Sequence, residues 1–101
     1  MPVKSVFLTI GGRVQGVGYR YFAQHKADEL RIAGWVRNTM EGKVEIEAEG
    51  EPQNLAIFID WVKIGPPRAI VQSFSSSDIA QPRNFKNFII ESTPKSVFVF
   101  N

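Results

Sequence analysis

Arg20 closes a short segment that carries two glycines, Gln15-Gly16-Val17-Gly18-Tyr19-Arg20. Glycines at this spacing allow positive φ angles, which can turn successive backbone N–H groups toward one point and form a concave anion site. The arginine adds a permanent positive charge and can donate two parallel hydrogen bonds to a phosphate. These residue types and their spacing indicate chemistry on a phosphate group. A glycine-rich turn followed by a surface arginine would have the same sequence.

The two best-known nucleotide motifs do not fit this segment. A P-loop places a Lys-Ser/Thr pair after its glycines, whereas Val17-Gly18 follows here. The dinucleotide fingerprint requires a third glycine where the chain has Tyr21. Nucleotide binding by either motif is therefore excluded, and the loop alone leaves both the anion site and the plain turn open.

The elements that must position this loop can be predicted from apolar periodicity. Alternation over residues 6–10 predicts a first strand that ends at Gly11-Gly12. A helix is predicted from Arg20, because the apolar residues after it recur at helical spacing, namely at Phe22, Ala23, Ala27 and Leu30. Residues 32–38 and 43–49 predict two strands, which the turn at 39–42 joins into a hairpin.

The second half of the chain predicts one more helix and further extended segments, with no internal repeat. Pro52 can occupy the first turn of a second helix, and Gly65-Pro66-Pro67 must end it. Residues 69–74 predict a fourth strand, residues 75–78 a loop, and residues 85–91 a further extended segment. The order β-α-β-β-α-β predicts an α+β, ferredoxin-like fold, in which an antiparallel sheet carries two helices on one face and a fifth, C-terminal strand is possible.

Size and composition limit the number of domains, the kinds of site and the partners that the chain can have. A chain of 101 residues predicts one domain over 1–101, with a core at about 6–90 and a C-terminal extension over 93–101. The absence of cysteine excludes disulfides, thiolate metal sites and a cysteine nucleophile. A net charge of +2 suits small anions and is too weak to predict nucleic-acid binding. Because no apolar run approaches membrane-spanning length, we expect no membrane association and a cytoplasmic protein.

Four motifs resemble those of one known family. The run Gly12-Arg13-Val14-Gln15-Gly16-Val17-Gly18-Tyr19-Arg20 resembles the first signature of the acylphosphatases, and Gly34-Trp35-Val36-Arg37-Asn38, followed by Glu41-Gly42-x-Val44-Glu45, resembles the second. Gly65-Pro66-Pro67-x-Ala69 and Phe85-x-x-Phe88 resemble later landmarks of the family. The similarity extends over about residues 6–90.

This resemblance implies an enzyme that hydrolyses small acyl phosphates with no cofactor and no metal. Arg20 matches the family's phosphate-binding catalytic arginine, and Asn38 matches the asparagine that orients the attacking water. The substrate-binding loop would consist of Gln15, Gly16, Val17, Gly18 and Tyr19, with the N–H groups of residues 16–20 as the phosphate cradle. A phosphate or sulfate anion is expected in the site, and the protein is expected to be a monomer or a weak dimer. Without the resemblance, Asn38 would be assigned only to the hairpin turn.

A metal site is not expected from the residues themselves. His25 is the only histidine and is predicted to be a solvated helix residue. Glu45 and Glu47 are predicted to lie on the solvent face of the third strand, where they would not form a metal site.

The reaction that the resemblance implies also needs no general acid. An acyl phosphate releases a carboxylate, and because the pKa of the conjugate acid is only about 4, this group leaves without a proton.

Two alternatives remain open at this level. RNA-recognition domains share the predicted topology, but the third strand here would present Glu45, Glu47 and Glu49, which repel a phosphate backbone. A non-catalytic, phosphate-binding or regulatory relative of the acylphosphatases would have the same motifs.

The sequence also departs from the family at two places. Arg31 stands where the family often has a glycine that ends the first helix, which puts the local geometry in doubt. The tail over residues 93–101, with Val97-Phe98-Val99-Phe100, extends beyond the usual end of the family's domain. We expect it to pack on its own sheet or on a second chain.

Overall fold

The computed structural model describes residues 2–94, so most of the tail over 93–101, which was expected to pack on its own sheet or on a second chain, lies outside the described residues. The elements follow the predicted order: β1 (Lys4–Arg13), α1 (Tyr19–Leu30), β2 (Ala33–Asn38), β3 (Val44–Gly50), α2 (Pro52–Ile64), β4 (Ile70–Ile79) and β5 (Phe88–Ile90). Neither helix of this described part is long and apolar enough to span a membrane.

The strands form one five-stranded sheet in the order β4-β1-β3-β2-β5. The first four pair antiparallel, as predicted, and β5 adds to the edge of β2 in parallel, so the sheet is mixed. Gly34 N donates to Asn87 O at 2.9 Å and Glu91 N donates to Val36 O at 2.8 Å. These bonds satisfy backbone groups that β2 would otherwise leave unpaired at the sheet edge.

Both helices cover the same face of the sheet and enclose the core with it. The residues buried there follow the predicted periods of two and 3.6: Val6, Leu8, Ile10, Ala23, Ala27, Val44, Ile46, Ala48, Leu55, Phe58 and Val62. Burying each large apolar side chain of this set contributes about 1.5–3 kcal/mol. The helices and the hairpin are thereby fixed relative to β1, which precedes the glycine loop.

The fourth strand is longer than predicted. It continues through residues 75–78, which were predicted to form a loop, because these residues pair with residues 6–9 of β1. Serine is not among the residues enriched in strands, so pairing with the long partner strand, and not local propensity, extends β4.

On the outer face of β3, the prediction that the carboxylates lie in solvent is wrong for two of them. Glu47 and Glu49 are each only 4% exposed. The chain between β4 and β5 must cross β1, β3 and β2 to reach the far edge of the sheet, and it does so over this face. Glu49 accepts hydrogen bonds from the N–H groups of Arg83 and Phe85, both at 2.9 Å. Arg83 Nε lies 2.6 Å from Glu47 Oε2 as an ion pair, although Oε2 lacks the alignment of a hydrogen bond.

The first helix ends without the glycine that usually occupies this position. Arg31 adopts the left-handed conformation, with φ 57° and ψ 43°. Its N–H points to the carbonyls of Ala27 and Asp28, and Ile32 N donates to Ala27 O at 2.8 Å, the bonding pattern of a Schellman cap. Ile32 therefore belongs to the cap, and β2 starts one residue later than predicted.

Candidate functional site

The loop between β1 and α1 has the conformation that its glycines predict. Gly16 has φ 73° and Gly18 has φ 80°, both in the left-handed region. A Cβ atom at either position would meet nothing within 4 Å. The backbone angles, and not crowding, therefore require glycine, and the space beside the loop is open.

The backbone N–H groups of this loop have no hydrogen-bond acceptor in the described part of the chain. The first hydrogen bond at the start of α1 is donated by Phe22 N to Gly18 O at 3.0 Å. Among residues 2–94, the N–H groups of residues 16–21 have no acceptor in the backbone or in a side chain. The first turn of α1 contains no acidic residue that would occupy this end of the helix dipole. Together these donors form a site that favours an anion.

A pocket of about 190 Å³ lies against this loop, and Gly16, Gly18, Arg20 and Asn38 contribute to its lining. Arg20 is half-buried and forms no ion pair with any described residue. Asn38 ends β2, and its Oδ1 is buried with no hydrogen-bond partner in the described chain. One small pocket thus holds unpaired donors, an unpaired cation and an unsatisfied acceptor.

Gln15 and Val17, two residues of the predicted substrate-binding loop, do not line the pocket. Gln15 Nε2 donates to the carbonyls of Thr39 and Lys43, at 2.9 Å and 2.8 Å. These carbonyls belong to the turn that follows Asn38, so Gln15 ties the glycine loop to the β2–β3 hairpin. Val17 packs its side chain against the hydrophobic core.

Tyr19 lines the pocket, but its side chain is a core group that is 1% exposed. Its hydroxyl donates to Val62 O at 2.5 Å. That carbonyl has no helical partner, because the residue four positions on is Pro66, which lacks an N–H. Burial raises the pKa of the Tyr19 phenol above its ordinary value. Only the backbone of Tyr19 is therefore available to a ligand.

Two further residues line the pocket that were not predicted to do so. Val14 is buried beneath the loop, and Tyr21 is 72% exposed at its edge. The helical period could have indicated that Tyr21 points away from the core, because it lies between the buried positions Tyr19 and Ala23.

The described residues offer no evident metal site. No group of three potential metal-ligating side chains is found among residues 2–94. His25 lies on the surface of α1 with 75% of its side chain exposed, as predicted, and its Nε2 is 3.6 Å from Glu29.

Comparison with known proteins identifies the family of this arrangement. The sequence model of the acylphosphatase family matches residues 6–90. An acylphosphatase of Marinobacter nauticus is 41% identical over 88 residues, which span 87% of this chain and 96% of that protein. The crystal structure of acylphosphatase from Bacillus subtilis matches with a TM-score of 0.85 at 40% identity, covering 87% of this chain and 98% of that one.

A larger protein contains a similar fold. The structure of full-length HypF in the phosphate- and nucleotide-bound form matches with a TM-score of 0.83 at 29% identity, over 91% of this chain and 12% of that one. The relative from Marinobacter nauticus, in contrast, is matched over nearly its whole length. Motifs, fold and sequence identity agree, and the chain belongs to the acylphosphatase family.

Proposed function

We propose that the chain hydrolyses acyl phosphates to a carboxylate and inorganic phosphate in the pocket between the glycine loop and Asn38. The observation that carries this proposal is the combination of unpaired groups in one pocket: the N–H groups of residues 16–21, the Arg20 guanidinium and the buried Asn38 Oδ1. Family membership supports the same activity, since the matched relatives are named acylphosphatases.

The phosphate end of the substrate would bind to the loop. Backbone N–H groups and the N-terminal end of α1 favour negative charge at this point. The Arg20 guanidinium can donate two parallel hydrogen bonds to phosphate oxygens. These donors would also stabilise the charge on the equatorial oxygens in the transition state, which is the main contribution a protein makes to phosphoryl transfer.

Asn38 would hold the attacking water. Its Oδ1 lacks a partner, and a water that donates one proton to this oxygen would satisfy it. The amide is neutral and removes no proton, so its role would be to fix the water in line with the bond that breaks. The water oxygen then bonds to phosphorus, the bond from phosphorus to the acyl oxygen breaks, and the water's proton passes to phosphate or solvent.

The leaving group makes further catalytic groups unnecessary. A carboxylate leaves without protonation, because the pKa of its conjugate acid is only about 4. The pocket lining contains no aspartate, glutamate or histidine among the described residues, which agrees with a reaction that needs no general acid. We infer that hydrolysis is independent of metal ions, because Arg20 and the N–H groups supply the positive potential.

Hydrolysis of acetyl phosphate by the purified chain tests this function, with a phosphate monoester of an aliphatic alcohol as the matched substrate. The alkoxide of that ester is a far poorer leaving group, so the chain is expected to hydrolyse only the acyl phosphate, and EDTA is expected to have no effect. Equal turnover of both substrates, or a strict requirement for added Mg²⁺, would contradict the mechanism. The cytoplasmic location and the oligomeric state stay predictions.

A further inference from the structure

A second pocket lies at the other end of α1 from the glycine loop. It has a volume of about 280 Å³, and its lining combines the last turn of α1 with the starts of β2 and β5. The glycine loop meets the first turn of α1, and a helix of 12 residues is about 18 Å long. This pocket is therefore separate from the proposed phosphate site, and the proposed function gives it no role.

Backbone hydrogen bonds hold the walls of this pocket in place. Ile32 N donates to Ala27 O at 2.8 Å, and Gly34 N donates to Asn87 O at 2.9 Å. The Phe88 side chain, which belongs to the same wall as Asn87, is 3% exposed and packs in the hydrophobic core. The walls therefore need no ligand to order them, as is usual for small-molecule sites.

Three charged residues line the pocket without pairing with one another. Asp28, Arg31 and Lys86 are all exposed, and none of them forms an ion pair within residues 2–94. Asn87 is also in the lining, and its side chain makes no hydrogen bond in the same part of the chain. Two cations, one carboxylate and one amide are thus available to a ligand.

The backbone of Arg31 is a separate reason to assign a ligand to this pocket. Among residues 2–94 other than glycine, only Arg31 and Asn84 have a positive φ. Asparagine tolerates this conformation, whereas an arginine is strained in it and a glycine would not be. Strained residues persist where the surrounding structure holds them, and they cluster at binding sites. An arginine at this strained position adds a bidentate anion donor to the pocket lining.

We propose that this pocket binds a small organic phosphate that also carries hydroxyl groups. The Arg31 guanidinium can donate two parallel hydrogen bonds to the phosphate, and Lys86 matches its second negative charge. Asp28 would repel a plain anion, but a hydroxyl group of the ligand can donate to this carboxylate. The pocket is larger than the phosphate site of about 190 Å³, which leaves room for the organic part of the ligand.

Titration of the isotope-labelled chain with glycerol 3-phosphate, followed by amide chemical shifts, tests the site. Shifts are expected at residues 27–33 and 86–88, and they are expected to persist in Arg20→Ala, in which the proposed phosphate site lacks its arginine. Propyl phosphate has the same anionic group without the hydroxyls and is expected to bind at these amides roughly 3- to 10-fold more weakly. Asp28→Ala is expected to remove this difference between the two ligands.

Two variants test the cations of the pocket. Arg31→Gly and Lys86→Gln are each expected to weaken the binding of glycerol 3-phosphate at these amides roughly 10-fold. Because Arg31→Gly also relieves the backbone strain, its binding is expected to fall while its free energy of unfolding rises, which separates loss of the site from loss of the fold. Lys63→Gln is the matched control, because Lys63 is exposed on α2 and lines neither pocket.

Three results would overturn the inference. Shifts confined to the glycine loop, or no shifts at all, would show that the second pocket does not bind this class of ligand. An equal loss of affinity in Lys63→Gln would show that the general positive charge of the chain, and not this pocket, attracts the phosphate. Equal binding of propyl phosphate and glycerol 3-phosphate would refute the preference for a hydroxylated ligand.

Discussion

Replacing Gln15 by methionine tests whether this residue positions the site or binds the substrate. Methionine has nearly the same length and shape, so the change removes only the two hydrogen bonds from Nε2 to Thr39 O and Lys43 O. Both carbonyls keep another donor, since Gly42 N lies 3.2 Å from Thr39 O and Thr39 N lies 2.9 Å from Lys43 O. Neither acceptor is left unsatisfied, and the loss is therefore about 0.5–1.5 kcal/mol for each bond.

The expected change in the free energy of unfolding is the sum of the two bonds, about 1–3 kcal/mol, with a fall in Tm of roughly 4–8 °C for each kcal/mol. Urea unfolding followed by fluorescence of the two tryptophans measures it. Because the bonds hold the loop against the turn that follows Asn38, kcat/KM for acetyl phosphate is also expected to fall, by roughly 10- to 100-fold.

Gln53→Met is the matched control, because Gln53 is exposed on α2 and its side chain makes no hydrogen bond in the described chain. If Gln15→Met were as stable as the wild type and lost affinity for inorganic phosphate instead, Gln15 would contact the substrate, as the sequence first indicated, and the positioning role would be refuted.

Two further predictions concern stability. Tyr19→Phe leaves the buried Val62 carbonyl without a donor and is expected to cost about 1–3 kcal/mol at neutral pH, measured by urea unfolding. Burial raises the pKa of this phenol in the folded state. Its contribution to the free energy of unfolding is therefore complete below the unfolded pKa of about 10 and is lost as the pH rises from there through the folded pKa. Tyr19→Phe is expected to flatten the loss of stability above this pH, and an unchanged alkaline profile would count against the burial. Arg31→Gly is expected to raise stability by about 1 kcal/mol, because a side chain in the left-handed region costs about that much. Arg31→Ala removes the charge but keeps the strain, and an equal gain in both variants would show that charge, and not conformation, is responsible.

The parts of the fold that the sequence predicted are those with a local cause. Alternation in β1 and β3 and the helical periods of α1 and α2 identified the buried face of each element, because side-chain direction follows directly from secondary structure. The parts that were missed depend on distant pairing. Residues 75–78 continue β4 because β1 is long enough to pair with them. The possible fifth strand is present, but its parallel pairing with β2 could not be read from the sequence, because it follows only after the chain has crossed the sheet.

The acidic residues of β3 also have contacts that could not be predicted, because their partners are distant in sequence. Alternation correctly placed Glu47 and Glu49 opposite the core, yet nothing near them in sequence indicates that Arg83 and Phe85 will cover that face. RNA binding on this face of the sheet is therefore disfavoured for a different reason. The face is closed by residues of the chain itself, and its carboxylates are partnered instead of being presented to solvent.

In the candidate site, the family motifs predicted which residues lie close together better than they predicted what each side chain contacts. Arg20 and Asn38 line one pocket, as their motif positions implied. Gln15 and Tyr19 are part of the same motif, but their side chains make structural hydrogen bonds to the hairpin turn and to α2. Spacing in sequence cannot separate a residue that touches the substrate from one that holds the loop, because both are fixed to the same few positions.

Separate kinetic effects of Arg20→Ala and Asn38→Ala on acetyl phosphate hydrolysis test the proposed site most directly. Arg20→Ala removes a donor to the phosphate, so it is expected to lower kcat by roughly 100- to 1,000-fold, raise KM and weaken inhibition by inorganic phosphate. Asn38→Ala removes only the acceptor for the water, so it is expected to lower kcat by roughly 100-fold while inhibition by phosphate stays as in the wild type. Full kcat in Asn38→Ala, or an equal loss of phosphate affinity in both variants, would contradict the division of roles between the two residues.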